Sequence, residues 1–459
     1  MGRRLRFTSD GVRHATINGH RFHLRLKDPI RDNFLWIDGQ QPPLILDNTA
    51  ADFVAYLIDA MWLFQQGDGD ESEAVLNYVI DKISAKYIGK FTPGKKRLSR
   101  EIISADFNRI FGTLMEIAKG SCPVEAGLTA KEIKYGEWSA PARMDLAVTY
   151  RCNLDCQKCY VGEKKVEKEL GVDEWSRIYE ILWSLGIPQV VFTGGEPTMR
   201  KDIVELISRA DEFVTGLVTN GIMLSELAVP LKDASLDYAQ VTIESKDGAI
   251  HDRMTGTSGS FDKTVMGIKK ALEIGLQVVT NTTLTKINAD AFEDTLVWLH
   301  DIGVKNMACN TLICSGGGIR LNEESGLSDE ELIKILIPAC EKTDKLGINF
   351  QWYSPTCYNK GINPIELGFG IKACSAAAHN MTIQPDGTVL PCQSWPDTVG
   401  NILTDDWKSI WHHPTCRKLR DHLMKPEACR ICEYVASCGG GCPLDKSDRL
   451  GHRGTGEGA

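Results

Sequence analysis

Tyr150 to Gly162 reads YRCNLDCQKCYVG and sets three thiols, Cys152, Cys156 and Cys159, inside eight positions. Gaps of three and two residues admit three readings. The thiols could share a helix face as small buried hydrophobes, hold a zinc ion with a fourth donor from elsewhere, or hold an iron-sulfur cluster that keeps one iron free of protein. The flanks weigh against the first, because Arg151, Asn153, Asp155, Gln157 and Lys158 leave only Leu154 as an apolar companion. A cluster with an open iron points to chemistry rather than to electron storage.

Outward from this stretch, residues 140–345 alternate apolar runs with amphipathic ones. MDLAVTY, QVVFTG, TGLVTN, YAQVTIE, QVVTNTTL and KNMACNTLI read as strands, and VDEWSRIYEILWSLG, RKDIVELISRAD, SFDKTVMGIKKALEIG and FEDTLVWLHDIG read as helices, several closing on a glycine. Such alternation predicts an α/β fold with a parallel sheet, whose chemistry sits at the C-terminal ends of the strands. The cysteine triplet follows the first strand directly. The next strand, in VVFTGGEPTMR, runs into Gly194, Gly195, Glu196 and Pro197, where two glycines let backbone approach a ligand closely.

The chain has 459 residues, and at about 100–200 residues per domain that implies more than one core. A net charge of -9 argues against a general binder of nucleic acid or anionic membrane. No apolar run is long enough to span a bilayer, and MGRRLRFTSDG lacks the apolar segment of a signal peptide, so the expectation is a cytoplasmic protein. Its 15 cysteines are clustered, which in a large chain of this kind favours metal over disulfides. No repeat is visible.

Residues 1–130 open with strand-like HATINGHRFHLRL and FLWIDGQQPPLILD, punctuated at Asp38-Gly39 and Pro42-Pro43. Helical spacing follows in Phe53, Tyr56, Leu57, Met61 and Phe64, in Val75, Val79 and Ile83, and in Phe107, Ile110, Phe111 and Leu114. Residues 346–450 bring cysteines back among glycines and prolines, as a loop-rich domain held by metal would. There MTIQPDGTVLPC reads as a hairpin turning at Asp386-Gly387, which returns Cys392 toward Cys374. Residues 451–459 have no apolar anchor and are expected to be a disordered tail.

Cys-x3-Cys-x2-Cys after the first strand, with Gly-Gly-Glu-Pro after the second, resembles the radical S-adenosylmethionine (SAM) enzymes. The resemblance implies a partial (β/α) barrel with a 4Fe-4S cluster on Cys152, Cys156 and Cys159. The methionyl group of S-adenosyl-L-methionine would chelate the open iron while Gly194, Gly195, Glu196 and Pro197 contact its amine. Reductive cleavage would then give a 5'-deoxyadenosyl radical that takes a hydrogen from substrate. QVTIESKDGAIHDRMTG resembles the family segment whose hydroxyl residue, here Thr242, approaches the cofactor. Two positions depart from the pattern. Lys158 stands where an aromatic is common, and Thr255 where an arginine is common, with Arg253 two residues earlier.

Cys374-x12-Gly387-x4-Cys392 and Cys429-x2-Cys432-x5-Cys438-x3-Cys442 resemble the SPASM auxiliary-cluster extension of peptide- and protein-modifying radical enzymes. The resemblance places Cys374, Cys392 and Cys442 on one auxiliary cluster and Cys429, Cys432 and Cys438 on the other. The usual seventh cysteine is missing, so Cys357, Cys416, Asp445 or an open iron completes each set. Two zinc knuckles are the bland alternative. Cys122, Cys309, Cys314 and Cys340 read as small buried residues, although Cys309 and Cys314 follow or end a strand and could face the cavity.

The N-terminal order of elements, with PLILDNTAADFVAYLIDAMW and ISADFNRIFGTLMEIAKG, resembles the small winged-helix module that binds leader peptides as an added strand. Together these resemblances imply a maturase that modifies a ribosomally made peptide or protein by crosslink, oxidation or rearrangement, fed electrons by flavodoxin or ferredoxin. A radical enzyme acting on a small molecule and a metal-binding module without catalysis are the alternatives.

Overall fold

The computed structural model describes residues 12–26, 33–37, 44–64, 72–87, 99–119, 121, 123, 126–128, 138–162, 166–358 and 362–445. The turns expected at 38–39 and 42–43, Cys122 and the tail fall outside them. The chain forms two units, the first comprising residues 1–138 with 180–188 and 212–214, the second the remainder.

In the first unit, β1 (Val12–Ile17), β2 (His20–Arg25), β3 (Asn33–Ile37) and β4 (Leu44–Leu46) form an antiparallel sheet in that order. Asn18 and Gly19, both at positive φ, make the two-residue turn whose twist matches a hairpin. Helices Asn48–Phe64, Ser72–Tyr87 and Arg100–Ala118 follow. Of the residues at helical spacing, Phe53, Leu57, Val79, Ile83, Phe107 and Leu114 are buried in one core with Phe22, Leu24, Leu35 and Ile37 of the sheet, and Tyr56, Met61, Phe64, Val75, Ile110 and Phe111 pack against it partly buried.

In the second unit the strands are β5 (Arg143–Thr149), β6 (Gln189–Gly194), β7 (Val214–Thr219), β8 (Tyr238–Thr242), β9 (Gln277–Leu284), β10 (Asn306–Thr311), β11 (Asn349–Trp352), β12 (Asn380–Ile383), β13 (Thr388–Leu390) and β14 (Gly400–Asn401). They make one sheet ordered β11-β10-β9-β8-β7-β6-β5-β12-β13-β14. Pairings are parallel at β5–β6 and from β7 through β11, and antiparallel in the β12-β13-β14 meander. The α/β class with parallel core strands, a small antiparallel domain before it and a cysteine-rich region after it is the fold observed. Every residue of β6 is buried, which explains why Val190, Val191 and Phe192 follow one another without a polar alternation.

Helices Val172–Ser184, Ile203–Arg209, Ser260–Glu273 and Phe292–Asp301 fall on the expected stretches. Gly186, Gly275 and Gly303 follow three of them at positive φ, a conformation that ends a helix without a Cβ penalty. Helix Asp329–Leu346 opens on a capping box between Ser328 and Glu331. Strand β11 is not apparent in the sequence, and β12 reads only as a hairpin arm. β11 extends the sheet past residue 345, and β12, the first arm of the expected hairpin, pairs in parallel with β5. Among the described residues no helix is long and apolar enough to cross a membrane.

Candidate functional site

Residues 150–160 form no helix, so the three thiols do not share a helix face. The loop that carries them is instead pinned by distant partners. Asp155 N donates to Thr255 O at 3.2 Å, and Gly317 N to Cys159 O at 2.9 Å. Asn220 Nδ2 donates to Asn153 Oδ1 at 2.7 Å. Tyr150 and Tyr160 donate their hydroxyls to Gln384 (2.7 Å) and Gln393 (2.9 Å), at and beyond the two ends of the β12–β13 hairpin. Gly316, at φ 53°, approaches so closely that a Cβ would lie 2.9 Å from Gly162 N and against Cys159 O. A loop held on several sides fixes three thiols without secondary structure of its own.

Cys152 is exposed, and Cys156 and Cys159 are half-buried. Burial pushes the Cys156 thiol up to about 12 and raises that of Cys152, so both are protonated at neutral pH until a metal displaces the proton. Among the described residues no three Cys, His, Asp or Glu side chains converge on a single metal ion. Three thiols on a loop held by distant partners are donors of the kind that both iron-sulfur clusters and zinc take.

Gly194 and Gly195 lie where the first two core strands end. Gly195 N donates to Thr149 O and Glu196 N to Arg151 O, each at 2.8 Å. A Cβ on Gly195 would lie 2.7 Å from Tyr150 O and against Arg151 O, and one on Gly194, at φ 132°, would strike Thr149 O. The close approach the glycines permit is therefore to the stem of the cysteine loop. Pro197 opens a single 3₁₀ turn. Glu196 is almost wholly buried, and its carboxylate accepts from Thr198 N (3.0 Å), Thr198 Oγ1 (2.6 Å), Thr219 Oγ1 (2.8 Å) and Asn220 N (2.7 Å). It thereby clamps the end of β6 to the end of β7, and Asn220 passes the constraint on to Asn153 in the loop. Burial raises the Glu196 carboxyl, and those four bonds oppose the rise.

The departures from the family pattern have partners of their own. Lys158 forms a buried ion pair with Glu244, just past β8, and donates to Thr283 Oγ1 on β9 at 2.8 Å. Thr283 N donates to the second oxygen of Glu244 at 3.1 Å. Glu244 N in turn donates to His251 Nδ1 at 3.2 Å, while His251 Nε2 is buried with no hydrogen-bond partner among the described residues. Thr255 is buried in helix Gly248–Thr255 and supplies the carbonyl that anchors Asp155. Arg253 is exposed. Thr242 ends β8, half-buried, on the strand face it shares with Tyr238 and Gln240. Asn153, Asn220, Lys158 and Glu244 were not singled out as a network from sequence, because each contact joins segments tens of residues apart.

The C-terminal thiols gather in two groups. Cys374, driven up by burial, lies within electrostatic reach of Cys442 and Cys392. Cys429 lies within reach of Cys357, Cys438 and Cys432. Cys416 is buried in helix Pro414–Arg420 beside Arg420. Cys314 donates to Asp445 Oδ1 at 3.5 Å. Cys309 is buried on β10 near Cys340 and Lys372, and burial brings the Lys372 amine down to about 8.

The model of the Radical SAM superfamily matches residues 146–299, and that of the SPASM iron-sulfur cluster-binding domain matches 374–438. Two curated relatives, each named PqqA peptide cyclase, come from Ruegeria pomeroyi (27% identical, 66% of this chain and 82% of the relative) and Granulibacter bethesdensis (28% identical, 64% and 80%). Streptococcus suis SuiB bound to precursor peptide SuiA has a similar fold, with a TM-score of 0.62, 17% identity and 96% of each chain covered. SuiB bound to S-adenosylmethionine gives 0.61 at 16% identity, again over 96% of each chain. The protein anSMEcpe with bound AdoMet gives 0.53 at 17% identity, over 65% of this chain and 88% of that one.

Proposed function

We propose that this chain, a radical SAM enzyme with a SPASM auxiliary-cluster domain, is a maturase that modifies a ribosomally made peptide. A single observation carries the reading. A pinned three-thiol loop at the ends of the first parallel strands is tied by Tyr150 and Tyr160 to a C-terminal region with two further thiol groups, in a chain aligned with two peptide cyclases. The relatives' name favours bond formation within a peptide over oxidation or rearrangement. The similar fold of SuiB, captured with a precursor peptide, supports the same substrate class.

Cys152, Cys156 and Cys159 would hold the 4Fe-4S cluster, with S-adenosyl-L-methionine at Gly194, Gly195, Glu196 and Pro197 and near Thr242. The two C-terminal groups would hold auxiliary iron-sulfur clusters. When bound, these groups supply one-electron cleavage and abstraction of a hydrogen from carbon. The chain's own part is positional. Glu196 spends its acceptors on Thr198, Thr219 and Asn220, so it orders the strand ends rather than exchanging a proton. The glycines keep the loop seated against β6, and Lys158 with Glu244 closes the loop onto β8 and β9. Fixing several groups to one frame is what lets a reactive centre meet one target hydrogen and little else. The first unit would take the leader as an added strand, flavodoxin or ferredoxin would supply electrons, and the enzyme would work in the cytoplasm.

Anaerobically reconstituted, reduced protein incubated with candidate precursor peptides should change peptide mass in step with 5'-deoxyadenosine formation. A chain that consumes the cofactor and alters small molecules but never a peptide would refute the reading.

A further inference from the structure

Cys429, Cys432 and Cys438, at the C-terminal end of the SPASM match, are three thiols where an all-cysteine 4Fe-4S cluster takes four. The structure brings a donor from the opposite direction. Cys357 lies on the segment that leaves β11, well before the SPASM match begins at residue 374. Two hydrogen bonds hook that segment down, Thr356 N to Lys372 O at 3.0 Å and Lys372 N to the Tyr358 hydroxyl at 2.7 Å. Tyr358, 4% exposed, sets its ring 6.4 Å from that of Tyr434, which stands between Cys432 and the short helix Val435–Cys438. Cys357, the residue before Tyr358, is thereby delivered to the Cys429 group and lies within electrostatic reach of Cys429, half-buried.

We propose that Cys357 is the fourth thiolate of the auxiliary cluster held by Cys429, Cys432 and Cys438. Its competitors are placed elsewhere. Cys416 is packed beside Arg420, and Asp445 bonds Cys314. The proximity of residue 358 to Lys372 suggests a link to the Cys374 group, but the thiols that surround Cys374 are Cys442 and Cys392. A thiolate from the end of the core sheet completes the cluster. It also makes that cluster a staple between the sheet edge and the last helices. On binding iron the thiol gives its proton to solvent. The assignment stands whichever molecule the enzyme modifies.

The test uses the full chain with Cys152, Cys156 and Cys159 changed to Ala, so that only auxiliary iron is read. Adding Cys357→Ala should lower iron by between about one and about four per chain after anaerobic reconstitution, and should yield a three-iron EPR signal on mild oxidation if the cluster survives. Adding Cys357→Ser, which keeps a donor of similar size, should retain the iron but shift the EPR signal and the reduction potential of one centre. A Cys357 that is only a small packed residue would leave potential and spectrum unmoved in the Ser variant, and that result overturns the proposal even where the Ala variant is insoluble. The shift should persist when Cys374, Cys392 and Cys442 are also removed and vanish when Cys429, Cys432 and Cys438 are removed. The reverse pattern would reassign Cys357 to the other cluster and overturn the proposal as well.

Discussion

Gly195 shows how a residue chosen for one reason serves another. Two glycines at a strand end imply a backbone bared for a ligand, yet the space beside Gly195 is taken by Tyr150 O and Arg151 O. A valine there must push the cysteine loop away, and overpacking of this kind costs about 1–3 kcal/mol locally. Gly195→Val should therefore lose cofactor affinity and about four irons per chain together, with the auxiliary clusters spared. Iron analysis beside S-adenosylmethionine binding checks this, and lost affinity with all iron retained would restore the ligand-space reading. His251 offers a pH signature. Burial lowers its pKa below 6.5, opposed by the Glu244 and Asp252 carboxylates, while Lys158 adds to the lowering. The folded chain thus refuses a proton that the unfolded chain accepts as pH falls below 6.5, and stability drops until the folded pKa is passed. Asparagine keeps an acceptor for Glu244 N but cannot titrate. His251→Asn should lose less Tm than the parent between pH 7.5 and 5.5, and equal losses would remove His251 from the acid response.

Among elements, the six central strands were legible as short stretches between amphipathic helices, β5, β6 and β7 because burial on both faces favours apolar residues and β8 because its residues alternate between buried and half-buried. The strands that flank them were legible only in part, β12 as a hairpin arm and β11 not at all. NFQW of β11 and NMTI of β12 are four residues each, and what makes them strands is a partner far away in the chain, β10 in one case and β5 in the other. The site divides in the same way. The thiols and glycines were legible from spacing, while Asn220–Asn153 and Lys158–Glu244–Thr283 join segments 67 to 125 residues apart and leave no local pattern. The pairing of β12 with β5 bears on any boundary drawn near residue 346. Met144 faces Met381 in register and Leu146 faces Ile383, all four fully buried. A chain cut after residue 345 bares that strand edge and its apolar side chains, a template for association between chains. It should be recovered as aggregate, and amides of β5 in any soluble fraction should exchange faster than in the full chain. A monomeric fragment with native protection in β5 would show that the cysteine-rich region is an appendage.

For the whole molecule, the division into two units changes how leader recognition must be tested. The first unit is not residues 1–138 alone but includes 180–188 and 212–214. Within it Arg21 Nη2 donates to Phe213 O at 2.8 Å, and His14 stacks edge-on to Trp183 at 6.3 Å. An excised N-terminal fragment lacks both partners, so its failure to bind peptide would report damage rather than function. Hydrogen exchange on the full chain avoids this. The sheet order leaves β1 and β4 as its two edges, and a leader added as a strand must satisfy edge amides that otherwise exchange with water. A precursor peptide should slow exchange in Val12–Ile17 or Leu44–Leu46, and not equally in both, since one strand pairs with one edge. Proline placed within the pairing segment of the peptide should abolish that protection by removing a ladder donor, while leaving cofactor cleavage without peptide unchanged. If the peptide is modified at full rate yet protects only residues 139 onward, the first unit does not read the leader. Selectivity would then rest on the second unit alone, where the thiols and the glycine-bearing strand ends already lie.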